Sequence, residues 1–156
     1  IKINRLKKVT RQSLIPLLKN ILSNHREWFE TKGNSGVFAD LSEENLAEGN
    51  FEDAVLVEAN FQGSYLHKSN FRNSDLRGAN FHDARLTQAQ FQNSNLEETD
   101  LMWADLKGAN FDNVRLAGAY LQGADLRETN IKKDQIQFSY TDEDTLLPNN
   151  ILNKKI

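Results

Sequence analysis

Cysteine is absent from the 156 residues of this chain, and proline occurs only twice. The lack of cysteine excludes disulfide bonds and thiolate metal sites, and it is typical of a reducing compartment such as the cytoplasm, the location that we expect. No apolar run approaches the roughly 20 residues of a transmembrane helix. The opening IKINRLKKVT lacks the apolar stretch of a secretory signal. Its first residue is not Met, which leaves open that the chain is part of a longer protein or assembly.

Charge of one sign does not dominate the whole chain, since its net charge is −3. Residues 1–38 nevertheless carry eight Lys or Arg and two Glu, whereas residues 39–136 carry nine Lys or Arg and seventeen Asp or Glu. This change predicts a boundary near residue 38. We expect a basic N-terminal segment at 1–37, a separate unit at 38–148 and a C-terminal tail at 149–156.

Enzyme signatures are also missing. The sequence has no GxSxG, P-loop, HExxH or GxGxxG motif. Its three histidines, His25, His67 and His82, do not form a pattern with metal-ligand spacing. We therefore expect a protein without catalytic residues, cofactor, metal or small-molecule substrate.

The sequence does contain one strong pattern, a large apolar residue at every fifth position from residue 41 to residue 136. Five is the period of neither a helix nor a strand. The twenty positions are Leu41, Leu46, Phe51, Leu56, Phe61, Leu66, Phe71, Leu76, Phe81, Leu86, Phe91, Leu96, Leu101, Leu106, Phe111, Leu116, Leu121, Leu126, Ile131 and Ile136. A small residue usually stands two positions earlier, and Asn or Asp often stands directly before the large one.

The segments GANFHDARL, WADLKGANF and QGADLRETN show this unit most clearly. Over residues 39–136 the sequence resembles the pentapeptide-repeat family, whose unit is A-(D/N)-L-x-x. The resemblance implies an all-β solenoid: a right-handed quadrilateral β-helix in which four pentads form one coil of twenty residues, and a bacterial source. Twenty pentads give about five coils, or a rod roughly 24 Å long at ordinary strand spacing.

In such a coil the large residue and the small residue two before it point inward, because the narrow tube has no room for two large side chains per side. We number the four sides as walls, and wall one is centred on Leu41, Phe61, Phe81, Leu101 and Leu121. The alternation of Phe and Leu then places the Phe residues of walls one and three opposite each other, with Leu on walls two and four.

Both ends of the rod need covering, since the terminal coils lack a neighbour. Apolar spacing predicts an amphipathic helix over residues 14–29, with Ser13 as N-cap and Val55 and Val57 beneath it. We expect this helix to cap the first coil, although a helix that binds a partner is the alternative. At the other end, Gln135-Ile136, the acidic residues 142–144 and the segment 145–148 resemble the last part-coil that often follows such repeats, and NKKI is expected to be a loose tail.

Function would lie on the outward residues of the walls. Wall one has acids but no Lys or Arg, and near its C-terminal end it carries Met102, Trp103 and Tyr120 beside Asp83 and Asp100. Trp and Tyr are enriched at interface hot spots, so these five residues are the candidate partner-binding site. Trp103 should lie beside Gly123 of the next coil, and local packing of its ring is the alternative reading.

We therefore expect a non-catalytic protein-binding scaffold or accessory module whose partner is unknown, and homodimerisation is left open. The alternative, which the resemblance suggests, is a DNA mimic that binds DNA gyrase or topoisomerase IV and protects it from quinolones. Seven of the acids that a mimic needs lie at 40–58, while residues 59–136 carry a net charge of only −1. A third possibility is that the basic residues 1–38 contact nucleic acid or acidic lipid, although the net charge of the chain disfavours direct nucleic-acid binding.

Overall fold

The computed structural model describes residues 11–152 and the side chains of residues 15–151. It contains three helices: α1 at Arg11–Glu30, α2 at Lys133–Ile136 and α3 at Asn149–Leu152. Between α1 and α2 the chain makes a turn at every fifth residue. The described residues end at Leu152, so the NKKI tail lies outside them. The predicted basic segment is described only from Arg11 onward.

Successive coils are joined by isolated parallel β-bridges between residues twenty positions apart. On wall one the bridges link Asp40, Asn60, Asn80, Asp100, Tyr120 and Tyr140. Four such rows occur in every twenty residues, so the coil has four sides. Two backbone bonds repeat on each side: Leu41 N–H donates to the Asn60 carbonyl at 2.7 Å, and Asn60 N–H donates to the Ala39 carbonyl at 3.0 Å. The chain is a β-helix solenoid with an N-terminal helix.

Each corner of the coil is a tight turn with one residue in the left-handed region. The residue two positions after each large apolar residue has a positive φ throughout 43–128. Glycine fills this position at Gly63 and Gly123, but Asp83 and Trp103 hold it as well, with φ of 58° and 59°. The corner position therefore constrains the backbone while its side chain faces outward.

The core is a column of side chains inside the tube, as the sequence predicts. On wall three the Phe51 and Phe71 rings stack at 4.6 Å between centroids, and on wall one Phe61 and Phe81 stack at 4.7 Å. The two stacks meet edge to face, with Phe61 and Phe71 5.7 Å apart at 87°. Edge-to-face contact is a favourable aromatic geometry. Leu101 ends the wall-one stack, and this confirms the predicted arrangement.

Small inward residues with hydroxyl groups satisfy their own polar atoms. Ser64 and Ser74 are buried, and each donates its hydroxyl to the carbonyl three residues earlier, at 2.7 and 2.6 Å. Thr99 donates in the same way to Leu96. A buried hydroxyl without a partner costs about 1–3 kcal/mol, so this local bond explains why Ser and Thr can replace Ala inside the tube.

Helix α1 covers the first coil, and buried His25 joins the two. Leu18 enters the same apolar core as the coil residues. The His25 ring accepts the Ala39 N–H at Nδ1, so the nitrogen that contacts the Val57 carbonyl must be the donor, each at 3.0 Å. Val57 is buried, as predicted for a residue beneath the helix. Ser13 is not the N-cap that the sequence suggested, because the helix already includes Arg11.

The C-terminal end of the solenoid is closed by side chains that replace the backbone of a further coil. The Asn130 side-chain oxygen accepts the Phe111 N–H at 2.6 Å, and Gln135 donates to the Phe111 and Val114 carbonyls. Helix α2 therefore takes the place of the pentad expected around Ile136. The segment after it returns to the walls, where Tyr140 bridges Tyr120, and so forms the predicted last part-coil.

Candidate functional site

The five predicted site residues lie together on wall one. Asp100 and Tyr120 are bridged across adjacent coils. Asp83 N–H donates to the Met102 carbonyl at 3.0 Å, and Met102 N–H donates to the Asp100 carboxylate at 3.0 Å. Trp103 follows Met102 at the corner of the same wall. The repeat thus brings residues that are 37 positions apart in sequence onto one surface.

Trp103 occupies the corner position and rests on Gly123 of the next coil. A Cβ atom on Gly123 would lie 2.3 Å from an indole carbon, so the ring covers that glycine at van der Waals distance. The side chain is still 51% exposed. One part of the indole packs on the rod while another part faces solvent, so the ring is held in place and available to a partner.

Tyr140 extends the site, and the sequence reasoning missed it. Its ring stacks on Tyr120 with centroids 5.0 Å apart and an interplanar angle of 19°. Both rings are exposed, as is Phe138 nearby in sequence. The twenty-residue spacing between Tyr120 and Tyr140 would have placed both rings on wall one. The walls were assigned from the pentads, however, and the pentads end at Ile136. We use the name wall-one patch for Asp83, Asp100, Met102, Trp103, Tyr120 and Tyr140.

The wall-one patch is acidic. His82 lies between two of its carboxylates, 3.4 Å from Asp83 and 3.7 Å from Asp100. The last part-coil adds Asp142, whose carboxylate accepts the Gly123 N–H at 3.0 Å. This backbone bond, with help from Thr145, holds the pKa of Asp142 below its usual value and keeps the group charged.

Apart from Met102, the side chains of the wall-one patch are aromatic and acidic groups at the surface. Within residues 11–152, no group of His, Cys, Asp or Glu is placed to hold a metal ion. The same part of the chain has no helix long and apolar enough to cross a bilayer. What the patch offers is exposed aromatic area beside fixed carboxylates, which is the chemistry of a contact surface.

Known proteins share this sequence pattern and this fold. The family model described as Pentapeptide repeat region matches residues 44–121 and 66–142. A pentapeptide repeat protein from the thylakoid lumen of Arabidopsis thaliana is 32% identical, with a TM-score of 0.62 over 64% of this chain and 70% of that chain. One from Nostoc is 21% identical, with a TM-score of 0.57 over 81% of this chain and 84% of that chain, and it shows the fold alone.

Neither a more distant solved structure nor the curated proteins indicate a function for this chain. The plasmid-mediated fluoroquinolone resistance protein QnrB1 is 15% identical, with a TM-score of 0.35 over 72% of this chain and 70% of that chain. A likeness at that level carries no argument. The comparison with curated proteins finds no match.

Proposed function

Since this chain is a member of the pentapeptide repeat family, we propose that it is a non-catalytic protein-binding scaffold with the wall-one patch as its contact surface. The observation that carries the proposal is Trp103, an aromatic residue that is half exposed while its ring packs on Gly123. Trp is among the residues most enriched at interface hot spots. Tyr120 and Tyr140 provide further aromatic area on the same wall.

The proposal also covers the handedness of the coil, the number of coils and the location of the protein in the cell. The family membership supports a right-handed coil. The bridge rows on walls one and two continue through about five coils into a part-coil, which agrees with the expected length. The absence of cysteine supports a cytoplasmic location, and cell fractionation tests it.

A crosslinking pull-down from the source cells tests the contact surface. The wild-type chain is compared with Trp103→Ala and with Tyr65→Ala, a matched control because Tyr65 is 40% exposed on wall two. We expect Trp103→Ala to lose the captured protein and Tyr65→Ala to retain it. Equal capture by all three proteins would assign the wall-one patch a structural role only.

The DNA-mimic alternative has one observation in its favour, the seven acids at 40–58. Helix α1 covers part of that region, where the Arg26 side chain donates to the Asp53 carbonyl. A supercoiling assay with gyrase and a quinolone separates the two functions. Protection by wild type that survives Trp103→Ala would favour the mimic over the scaffold.

A further inference from the structure

The wall-one patch combines aromatic rings and acids, with His82 between Asp83 and Asp100 but no Lys or Arg among its outward residues. Asp83 and Asp100 lie beside Trp103 in the ladder, and Asp142 and Glu143 follow beyond Gly123, on which the indole rests. The outward residues of wall one from 80 to 143 include no Lys or Arg. On the neighbouring wall two, Lys107 is paired with Glu128 at 3.1 Å.

On this basis, and resting on the proposed function, we infer that the partner of the wall-one patch presents an extended segment rich in arginine. A positively charged segment complements fixed carboxylates, and charge complementarity decides orientation and partner choice. Aromatic faces next to those carboxylates add attraction for a cation. A neutral or acidic partner would gain the aromatic contacts but would leave the carboxylates without counter-charge.

Arginine suits this surface better than lysine. The planar guanidinium group stacks on an indole or phenol ring and binds a carboxylate through two parallel hydrogen bonds. Trp103 is held against Gly123, and Tyr120 is held against Tyr140, so neither ring has to be ordered when the segment binds. A Lys ammonium would make the charge contact without the stacking.

The spacing along the ladder fits an extended segment. The acids and rings occur once per coil from Asp83 to Asp142, which is three coil steps or about 14 Å. Alternate side chains of an extended segment point the same way about 6.6 Å apart, so two or three arginines cover that length.

Isothermal titration calorimetry with a synthetic peptide of four Gly-Arg repeats tests the inference, and a Gly-Lys peptide is the comparison. The full chain is measured as wild type, as Trp103→Ala, and as the pair Asp83→Asn with Asp100→Asn. The control pair is Glu52→Gln with Asp112→Asn, which removes two exposed acids from wall three and changes the net charge equally. Circular dichroism checks that each protein is folded.

We expect the Gly-Arg peptide to bind wild type at least threefold tighter than the Gly-Lys peptide. Both Trp103→Ala and the wall-one pair should weaken binding about tenfold, and the wall-three pair less than twofold. Equal weakening by both acidic pairs would show attraction to net charge alone and would overturn the inference. So would absence of binding, or equal affinity for both peptides.

A second copy of this chain is the competing occupant, because residues 1–38 are basic. A dimer of the unliganded protein in sedimentation velocity that Asp83→Asn with Asp100→Asn dissociates would overturn the arginine-rich partner. The proposed function fails separately. Suppose that a protein is captured through Trp103 and binds the double variant Asp83→Asn with Asp100→Asn as tightly as wild type. That result would support the scaffold function and contradict the requirement for arginine.

Discussion

At the residue scale, Trp103 has a backbone conformation that suits glycine better than tryptophan. Its φ is 59°, and the equivalent corners of wall one hold Glu43, Gly63, Asp83 and Gly123. A left-handed conformation costs an ordinary residue roughly 1–2 kcal/mol. Trp103 is the single aromatic residue at this corner position in the described coils. The ring is therefore half exposed at a position that Glu, Gly or Asp fills elsewhere on the wall, which is consistent with selection for contact and not for stability.

Replacement of this residue tests the separation of stability from binding. We expect Trp103→Gly to leave the free energy of unfolding within about 0.5 kcal/mol of wild type, because relief of the left-handed strain offsets the greater chain entropy of glycine and the lost contact with Gly123. Chemical denaturation measures this difference. Loss of a buried Trp would instead cost about 3–5 kcal/mol, and a result of that size would identify the indole as a core residue.

Gly123 fixes the position of the indole without being part of the contact surface. We expect Gly123→Ala to displace the ring, because the new Cβ would stand 2.3 Å from it, and to change the tryptophan emission spectrum and peptide affinity. Gly63→Ala is the matched control: its φ is similar, and its Cβ would meet only Glu43 at 3.7 Å. An unchanged spectrum in Gly123→Ala would contradict the described packing of Trp103.

At the element scale, helix α1 is held on the first coil by a buried imidazole. Burial lowers the pKa of His25, and the bond to the Val57 carbonyl and the charge of Glu58 act in the opposite direction. Protonation at Nδ1 would also remove the acceptor of the Ala39 N–H. The neutral ring is therefore the form that holds the helix.

The pH dependence of stability follows from this shift. Since the pKa of His25 is lower in the folded chain than its ordinary 6.5, the unfolded chain takes up the proton first as the pH falls. We expect the free energy of unfolding to be largest above about pH 6.5 and to decrease toward pH 5, by at most about 1.4 kcal/mol per pH unit. Denaturation at several pH values measures it. His25→Gln should remove this slope, and His67→Gln, a half-buried residue of wall two away from α1, should retain it.

The elements that repeat could be predicted from sequence, and those that interrupt the repeat could not. The twenty-residue coil and the paired Phe stacks follow from Phe51, Phe61 and their successors, because a fixed period repeats one packing solution. Helix α2 and the contact of Tyr140 with Tyr120 depend on how the last coil closes. That closure uses single side chains such as Gln135, whose bonds no periodic pattern records.

The part of the candidate site that lies within the repeat could be predicted, and the part beyond it could not. The wall assignment brought Asp83, Trp103 and Tyr120 together because it needs only the period. It did not include Tyr140 or Asp142, which come after one pentad is replaced by α2. The predicted start of the helix was also wrong. Ser13 is a good N-cap residue by type, but it lies inside a helix that already includes Arg11.

At the scale of the whole molecule, every β-bridge within residues 11–152 joins coils that are neighbours in the ladder. Stability of such an array is approximately a sum of nearest-neighbour terms. Coils in the middle are stabilised from both sides, whereas the first coil depends on α1 and the last on side-chain bonds. We therefore expect opening to begin at the ends.

Native-state hydrogen exchange measured by mass spectrometry tests this order. Backbone amides of residues 79–98 should exchange most slowly, and those of 39–58 and 119–140 faster. The first coil should exchange faster still at pH 5 than at pH 7, after correction for the intrinsic rate, because protonated His25 no longer holds α1. Identical protection in all coils would show that the rod unfolds as one cooperative unit.

The twenty-residue register also sets how this protein can change in length. Removal of residues 59–78 would place Phe91 on Phe51 and Leu86 on Leu46, so the contacts of the large inner residues would keep their chemical type. The wall-one patch would move about 4.8 Å nearer to helix α1 with its own composition unchanged. Duplication or loss of one coil is therefore a single genetic step that alters the distance between two features in fixed increments, while an insertion of five, ten or fifteen residues would rotate the patch onto a different side.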